Sequence, residues 1–252
     1  MIYLKSPSEI QKIRVSCQII AELLESLQEL VKPGVSTLKL DQFAEDFIAK
    51  RGARPAFKGY TIPGLPPFPG TLCTSVNHVI VHGIPSAKRI LKEGDIIGID
   101  VGVIKDGYYG DAARSYAVGK ISDEAEQLLT VCRNSLAAGI AQAKPSARVG
   151  DISHAIGQYI ANAGYYPADN LTGHGVGREL HEEPQIPNSG RKGFGPRLEA
   201  GMTLAIEPMV NIGTRRVKER GWEFFTADGS LSAHFEHTIL ITEQGAEILT
   251  TL

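Results

Sequence analysis

The chain has 252 residues, 42% of them hydrophobic, with a formal net charge of −2 at pH 7. That length allows a large buried core, and the near-neutral balance excludes a global electrostatic pull toward nucleic acid or an anionic membrane. Three widely spaced cysteines, Cys17, Cys73 and Cys132, exclude a disulfide framework and a zinc finger.

The amino terminus, MIYLKSPSEIQK, lacks a basic-then-apolar signal pattern, and no apolar run approaches the ~20 residues of a membrane span. A soluble cytoplasmic protein with reduced thiols is expected. Ser6-Pro7-Ser8-Glu9 forms a capping box with proline at the first helical position. Ile10, Ile13, Cys17, Ile20, Leu24, Leu27 and Val31 follow at helical spacing, and Lys32-Pro33-Gly34 stops the run. A second helix carries Leu40, Phe43, Ala44, Phe47 and Ile48 on one face and ends at Gly52.

Strand-like patterns then cover 71–81, 95–104 and 108–118. Asp106-Gly107 between the last two is a strong hairpin signal, because the pair tolerates the positive φ values of a type I′ turn. That turn sets Lys105 opposite Tyr108, Asp100 opposite Ala113 and Asp111 opposite Gly102. Asp100 and Asp111 then share one face as diagonal neighbours, Cα atoms roughly 7–8 Å apart. Carboxylates this close at the end of the apolar stretch Ile96–Ile99 repel unless a cation or proton lies between them. A metal fits that better than acid–base chemistry alone.

The helical plan recurs after a join near Gly119–Ser122. Ser122, Asp123 and Glu124 open a helix through Leu128, Cys132, Leu136 and Ile140, stopped at Lys144-Pro145. The next carries Ile152, Ala155, Ile156, Tyr159 and Ile160 and ends at Gly164. Residues 32–56 laid on 144–168 match at Lys, Pro, Ile48/Ile160, Ala49/Ala161, Gly52/Gly164, Pro55/Pro167 and Ala56/Ala168. The expectation is one catalytic domain over 1–252 made of pseudo-repeat halves, about 1–119 and 120–252. Further strands are expected at 202–207 and 232–242. The fold class is α+β: curved, mostly antiparallel sheet, helices on its outer face, and a cleft between the halves.

Three more candidate ligands stand at strand ends or in glycine-rich turns. His174 lies in LTGHGVGRELHEEP, Glu207 ends GMTLAIE before Pro208, and Glu236 lies in SAHFEHTILIT, where His234, Glu236 and Thr238 share one face. Two aspartates, two glutamates and a histidine form a hard, oxygen-rich set suited to two divalent ions among Mn, Fe(II), Co and Zn. Each residue also has an ordinary reading, as a turn residue, a solvated acid or a loop histidine bonded to backbone.

In their order and contexts, IDVG, GD, GHGVG, IEP and FEHT, these residues resemble the methionine aminopeptidases and their pita-bread-fold relatives. CTSVNHVIVHGIP, from Cys73 to Pro85, resembles the type I enzymes in particular. The resemblance implies that Asp100 chelates one metal, that His174 and Glu207 hold the other, and that Asp111 and Glu236 bridge. It implies roles for two non-ligand histidines: His82 bonding the substrate backbone and His181 bonding the developing oxyanion. Glu207 is implied to shuttle the water proton, while Tyr60, Phe68, Cys73 and Trp222 line the side-chain pocket. The implied reaction removes initiator methionine from nascent polypeptide amino termini when the second residue is small. On residue type alone, His82 reads as a buried histidine bonded to backbone, and Trp222 as a packing residue at a loop edge.

Two departures touch the pocket. About five extra residues around IPGLP separate Gly59-Tyr60 from Phe68-Pro69, and Leu180 precedes His181 where bacterial relatives often have phenylalanine. The rivals are a proline-specific aminopeptidase or dipeptidase of the same fold and a non-catalytic binding homologue. The first usually carries a large additional amino-terminal domain, and the second need not retain all five ligands. Thiol catalysis by Cys73 is the weaker chemistry, with no third orienting group in view. The cluster Arg215, Arg216, Lys218 and Arg220 is either a contact for ribosomal RNA or a solvated loop. A monomer without DNA or membrane partners is expected.

Overall fold

The turn at Asp106 (φ 51°) and Gly107 (φ 80°) joins the two longest strands of the molecule. A computed structural model describes all residues, Met1–Leu252. The first part of the chain forms α1 (Pro7–Gln28), α2 (Thr37–Lys50), β1 (Arg54–Pro55), β2 (Cys73–Val76), β3 (Val79–Val81), β4 (Ile96–Lys105) and β5 (Tyr108–Ala117). The register is the one the turn dictates: Lys105 faces Tyr108, Gly102 faces Asp111 and Asp100 faces Ala113. The other edge of β4 takes β2 at Ile97–Asp100 and β1 at Val103–Ile104.

The second part forms α3 (Asp123–Ile140), α4 (Val149–Asn162), β6 (Tyr166–Pro167), β7 (Thr172–Gly175), β8 (Glu182–Pro187), β9 (Thr203–Ile206) and β10 (Met209–Asn211). It ends with β11 (Val217–Arg220), β12 (Glu223–Thr226), β13 (Ser232–His234), β14 (His237–Thr242) and β15 (Gly245–Ile248). All pairings are antiparallel, and the largest sheet runs β15-β14-β9-β7-β8. Both ends of α4 and of β6 lie 112 positions after the ends of α2 and β1.

The capping box at α1 forms in both directions, Ser6 N to Glu9 Oε2 at 2.9 Å and Glu9 N to Ser6 Oγ at 3.4 Å. Alternate residues of β4, Ile97, Ile99, Val101 and Val103, pack against Ile20, Leu24 and Leu27 of α1 and Leu40 and Ile48 of α2. A second core joins Leu128, Cys132 and Leu136 of α3 and Ile152, Ile156 and Ile160 of α4 to Leu204, Ile206, Ile239 and Ile241. Tyr159, expected on the buried face of α4, is 37% exposed, since the buried stripe runs through Ile152, Ile156 and Ile160 at strict four-residue steps.

Two expected strands are broken, and both breaks shape the site. The segment 71–81 turns at Asn77, whose φ of 57° is one asparagine adopts readily. Asn77 is held there by Nδ2 donating to Asp95 Oδ1 (2.9 Å) and Oδ1 accepting from Ile96 N (3.0 Å). The segment 232–242 breaks at Phe235-Glu236, because β13 pairs with β10 while β14 pairs with β9. Glu236 sits at that corner between sheets, its N–H donating to Ala113 O at 2.8 Å.

Candidate metal centre

The cavity-facing side of β4 and β5 carries the two aspartates. Asp100 and Asp111 project from the face opposite the Ile97/Ile99/Val101 row, as the two-residue strand period requires. Thr238 of β14 fixes Asp111 from behind. Its Oγ1 donates to Asp111 O at 2.7 Å and accepts from Asp111 N at 3.1 Å. This places β14, and Glu236 at its start, against the hairpin.

His174 enters from β7, opposite Ala205 of β9. A Cβ on Gly173 would lie 2.4 Å from Ala205 O, and one on Gly175 would lie 2.3 Å from Glu183 O. Only glycine permits that approach on either side of His174. The imidazole Nδ1 lies 2.9 Å from Gly175 O, an acceptor only, so the proton resides on Nδ1 and the Nε2 lone pair faces the cavity. Nε2 lies 3.4 Å from Glu207 Oε1 and 3.9 Å from Asp111 Oδ2. Glu207 follows β9 at a kink before Pro208, its carbonyl held by Asn188 Nδ2 at 3.0 Å.

Asp111, His174 and Glu236 form one group of converging ligand atoms, and Glu207, His234 and Glu236 form another, each within 4.8 Å. His234 is the site residue that the sequence reading did not include. Its Nε2 lies 3.4 Å from Glu207 Oε2. The available signal was its two-residue offset from Glu236, which the alternation of SAHFEHTILIT assigns to the same face.

The site fits divalent cations. Asp100 Oδ1, Asp111 Oδ1, Glu236 Oε1 and His234 Nε2 are buried and have no hydrogen-bond partner in the protein. Burial pushes the Asp100 carboxyl up to about 7. It pushes Asp111, Glu207 and Glu236 up as well, and neighbouring carboxylates add to the rise at Asp111 and Glu236. Four carboxylates in one cleft ionise together only around positive charge. Burial lowers His174 to about 3 and His82 to about 4, so both are neutral bases at pH 7. A dinuclear-type metal site of carboxylate oxygens and imidazole nitrogens is present.

A cavity of about 480 Å³ opens above it, lined by all the residues assigned in sequence: Asp100, Asp111, His174, Glu207, Glu236, His82, His181, Tyr60, Phe68, Cys73 and Trp222. Cys73 stands directly opposite Asp100 in the β2–β4 ladder, so the apolar slot begins beside the carboxylates. Phe57, Phe68, Cys73, Leu180 and Trp222 form that slot as one buried cluster. Burial raises the Cys73 thiol well above its ordinary range, which removes it as a nucleophile at neutral pH.

The extra loop is tied to the back of the slot. Trp222 Nε1 donates to Pro66 O at 2.8 Å, and Phe68 N donates to Tyr60 O at 2.8 Å, closing the segment at its base. Leu65 packs on the slot cluster, and Trp222 meets Phe68 edge-on with centroids 5.5 Å apart. Trp222 is therefore both a packing residue and an anchor for the loop.

His82 carries φ 59°, a conformation uncommon for a residue with a Cβ, and its Nδ1 has no hydrogen-bond partner. The ring meets Phe224 edge-on at 5.4 Å. His181 stands over His174, ring centroids 4.5 Å apart, and Tyr60 Oη lies 2.9 Å from its Nδ1. In the basic cluster, Arg215 pairs with Asp169 at 2.7 Å, Lys218 Nζ donates to Ala227 O at 2.7 Å, and Arg220 lies over the Phe225 ring.

The model of metallopeptidase family M24 matches residues 11–243. The chain belongs to metallopeptidase family M24. It is 51% identical over 252 residues to methionine aminopeptidase 1 of Bacillus subtilis, covering 99% of each chain. The crystal structure of methionine aminopeptidase from Thermotoga maritima superposes with a TM-score of 0.96 at 45% identity, and each chain covers all of the other. The prolidase from Pyrococcus horikoshii superposes at 0.79 with 25% identity, and this M24 chain covers 63% of it. The architecture is the pita-bread fold.

Proposed function

We propose that this M24 chain is a type I methionine aminopeptidase, a metal-dependent exopeptidase that removes initiator methionine from polypeptides. The observation that carries the reading is the ladder position of Cys73 opposite Asp100, which seats a narrow apolar slot at the edge of the carboxylate cluster. A thioether side chain held in that slot, beside a soft sulfur, brings the peptide bond that follows it over Glu207 and His181.

When bound, two divalent ions would be held by Asp100, Asp111, His174, Glu207 and Glu236, would lower the pKa of water toward neutrality and would polarise the scissile carbonyl. Mn, Fe(II), Co and Zn all suit these ligands. Glu207, which faces the cavity with Oε1 3.4 Å from His174 Nε2, accepts the water proton and returns it to the leaving amide nitrogen. His181 is neutral, and with Tyr60 at Nδ1 it presents Nε2–H to the carbonyl oxygen as negative charge develops there. His82, poised by its left-handed backbone, bonds the substrate amide near the cleaved bond.

The pseudo-repeat halves 1–119 and 120–252 act as one catalytic domain in this reading, supported by the α2/α4 and β1/β6 spacing. Three free, buried cysteines favour a reducing compartment such as the cytoplasm. A small residue at the second position is preferred, because the chain must lie across the cavity beside Tyr60 and His181. The test is cleavage of Met-Gly-Met against Ala-Pro peptides. Methionine release with little Ala-Pro hydrolysis is the expected result, and preference for Ala-Pro would transfer the chain to the proline-specific branch.

A further inference from the structure

The loop that carries His181 is clamped from the start of the chain. Lys5 Nζ meets Glu182 Oε2 at 2.5 Å, with the two side chains only 2% and 4% exposed. The other oxygen of Glu182, Oε1, accepts from Arg178 N at 2.6 Å and Glu179 N at 3.2 Å. The Glu182 side chain thus closes the 178–182 turn from inside, and Lys5 holds that side chain from outside. Lys5 is itself fixed, its N–H donating to Gly201 O at 2.8 Å and its Nζ to Tyr3 O at 3.3 Å. A second tie runs from Glu9 Oε1 in the first turn of α1 to Arg178 Nε at 2.7 Å. Gly177 completes the fit, since a Cβ there would lie 2.5 Å from Lys5 Cε.

We propose that Lys5 is a positioning residue for His181, acting through Glu182. A buried ion pair is a poor source of stability, because desolvation offsets the attraction. What it supplies here is a fixed geometry for a turn of otherwise exposed residues: Arg178, Glu179 and His181 are exposed, while Leu180 between them is packed in the slot. His181 must hold a donor within a fraction of an ångström of a developing oxyanion, and small misplacements cost large factors in rate. The proposal rests on the aminopeptidase reading above.

The experiment is a double-mutant cycle on Met-Gly-Met cleavage with Lys5→Met, His181→Ala and the double variant, in the metal-loaded protein. Wild-type cleavage of Met-Gly-Met tests the aminopeptidase reading itself, and its absence overturns both. Lys5→Met should lower kcat by about tenfold to a hundredfold and leave KM nearly unchanged. In the His181→Ala background the same substitution should change kcat by less than about twofold. Should Lys5→Met fail to fold, the cycle is run with Lys5→Met/Glu182→Gln, which leaves no buried charge unpaired. Wild-type kcat in the Lys5 variant, or losses that simply add to that of His181→Ala, would overturn the proposal.

Discussion

Tyr60 Oη and His181 Nδ1 lie 2.9 Å apart at the mouth of the cavity, joining the base of the extra loop to an imidazole above the metal centre. The ring pair is edge-on with centroids 5.5 Å apart, so the phenol sets the imidazole's rotation as well as its tautomer. Partial desolvation at the cavity mouth raises the Tyr60 phenol and lowers His181, so at neutral pH a protonated phenol donates to a neutral ring. The proton of His181 then resides on Nε2, where a carbonyl oxygen can use it.

Tyr60→Phe removes that constraint and keeps the apolar wall. A neutral hydrogen bond contributes about 0.5–1.5 kcal/mol, so kcat should fall by up to about tenfold with KM little changed. Steady-state kinetics on Met-Gly-Met measure both terms. An increase in KM with kcat intact would show that Tyr60 serves only the slot.

Glu236 is the one carboxylate common to both ligand groups, and Asp111 converges with it and His174, so Asp111→Asn or Glu236→Gln should cost at least one of the two ions. Elemental analysis after dialysis reads the stoichiometry directly. Glu207→Gln loses a ligand and a proton carrier together, so turnover should fall by more than the ~10²–10⁴ of general acid–base loss alone. A tenfold loss would assign the proton to another group.

His234→Gln should weaken metal binding by about tenfold to a hundredfold, the range for a residue that orients a ligand. The reason is its Nε2, 3.4 Å from Glu207 Oε2 and otherwise unpartnered. Calorimetric titration of metal-stripped protein with Mn(II) gives the affinity. Unchanged binding would leave His234 a packing residue.

Stability of the metal-stripped protein should fall as pH rises above 6.5. Burial raises the folded-state values of Asp100, from 3.8 to about 7, and of Asp111, Glu207 and Glu236. The folded chain therefore holds protons that the unfolded chain has released. That contribution is complete below the unfolded carboxylate range and is lost as pH climbs through the folded values. The lowered imidazoles, His82 and His174 among them, act in the opposite sense only below their unfolded value of 6.5. Tm between pH 6.5 and about 8.5 should drop without metal and recover with it. A flat profile without metal would mean the carboxylates are compensated from elsewhere.

Much of the site was legible because it follows local rules. Asp106-Gly107 forces one hairpin register, and that register alone brings Asp100 and Asp111 together. The glycines around His174 announce close backbone approach, which Ala205 O and Glu183 O supply. What was not legible depends on long-range pairing. The alternation through 232–242 reads as one strand, and only the competing edges of β10 and β9 divide it at Glu236 and turn His234 toward Glu207. Lys5 and Glu182, 177 positions apart, meet only because the start of the chain folds over the His181 loop. The Trp222–Pro66 bond gives the extra loop a fixed place that its Pro/Gly composition could not specify.

Metal-dependent release of amino-terminal methionine is the activity that this cleft is built to perform. The direct measurement is peptide cleavage by metal-stripped protein with Mn(II), Co(II), Fe(II) or Zn(II) restored one at a time, using Met-Gly-Met and Ala-Pro peptides side by side. No cleavage before addition, and methionine release from Met-Gly-Met after it, is the predicted result. Full cleavage by protein that elemental analysis shows to be free of metal would contradict it.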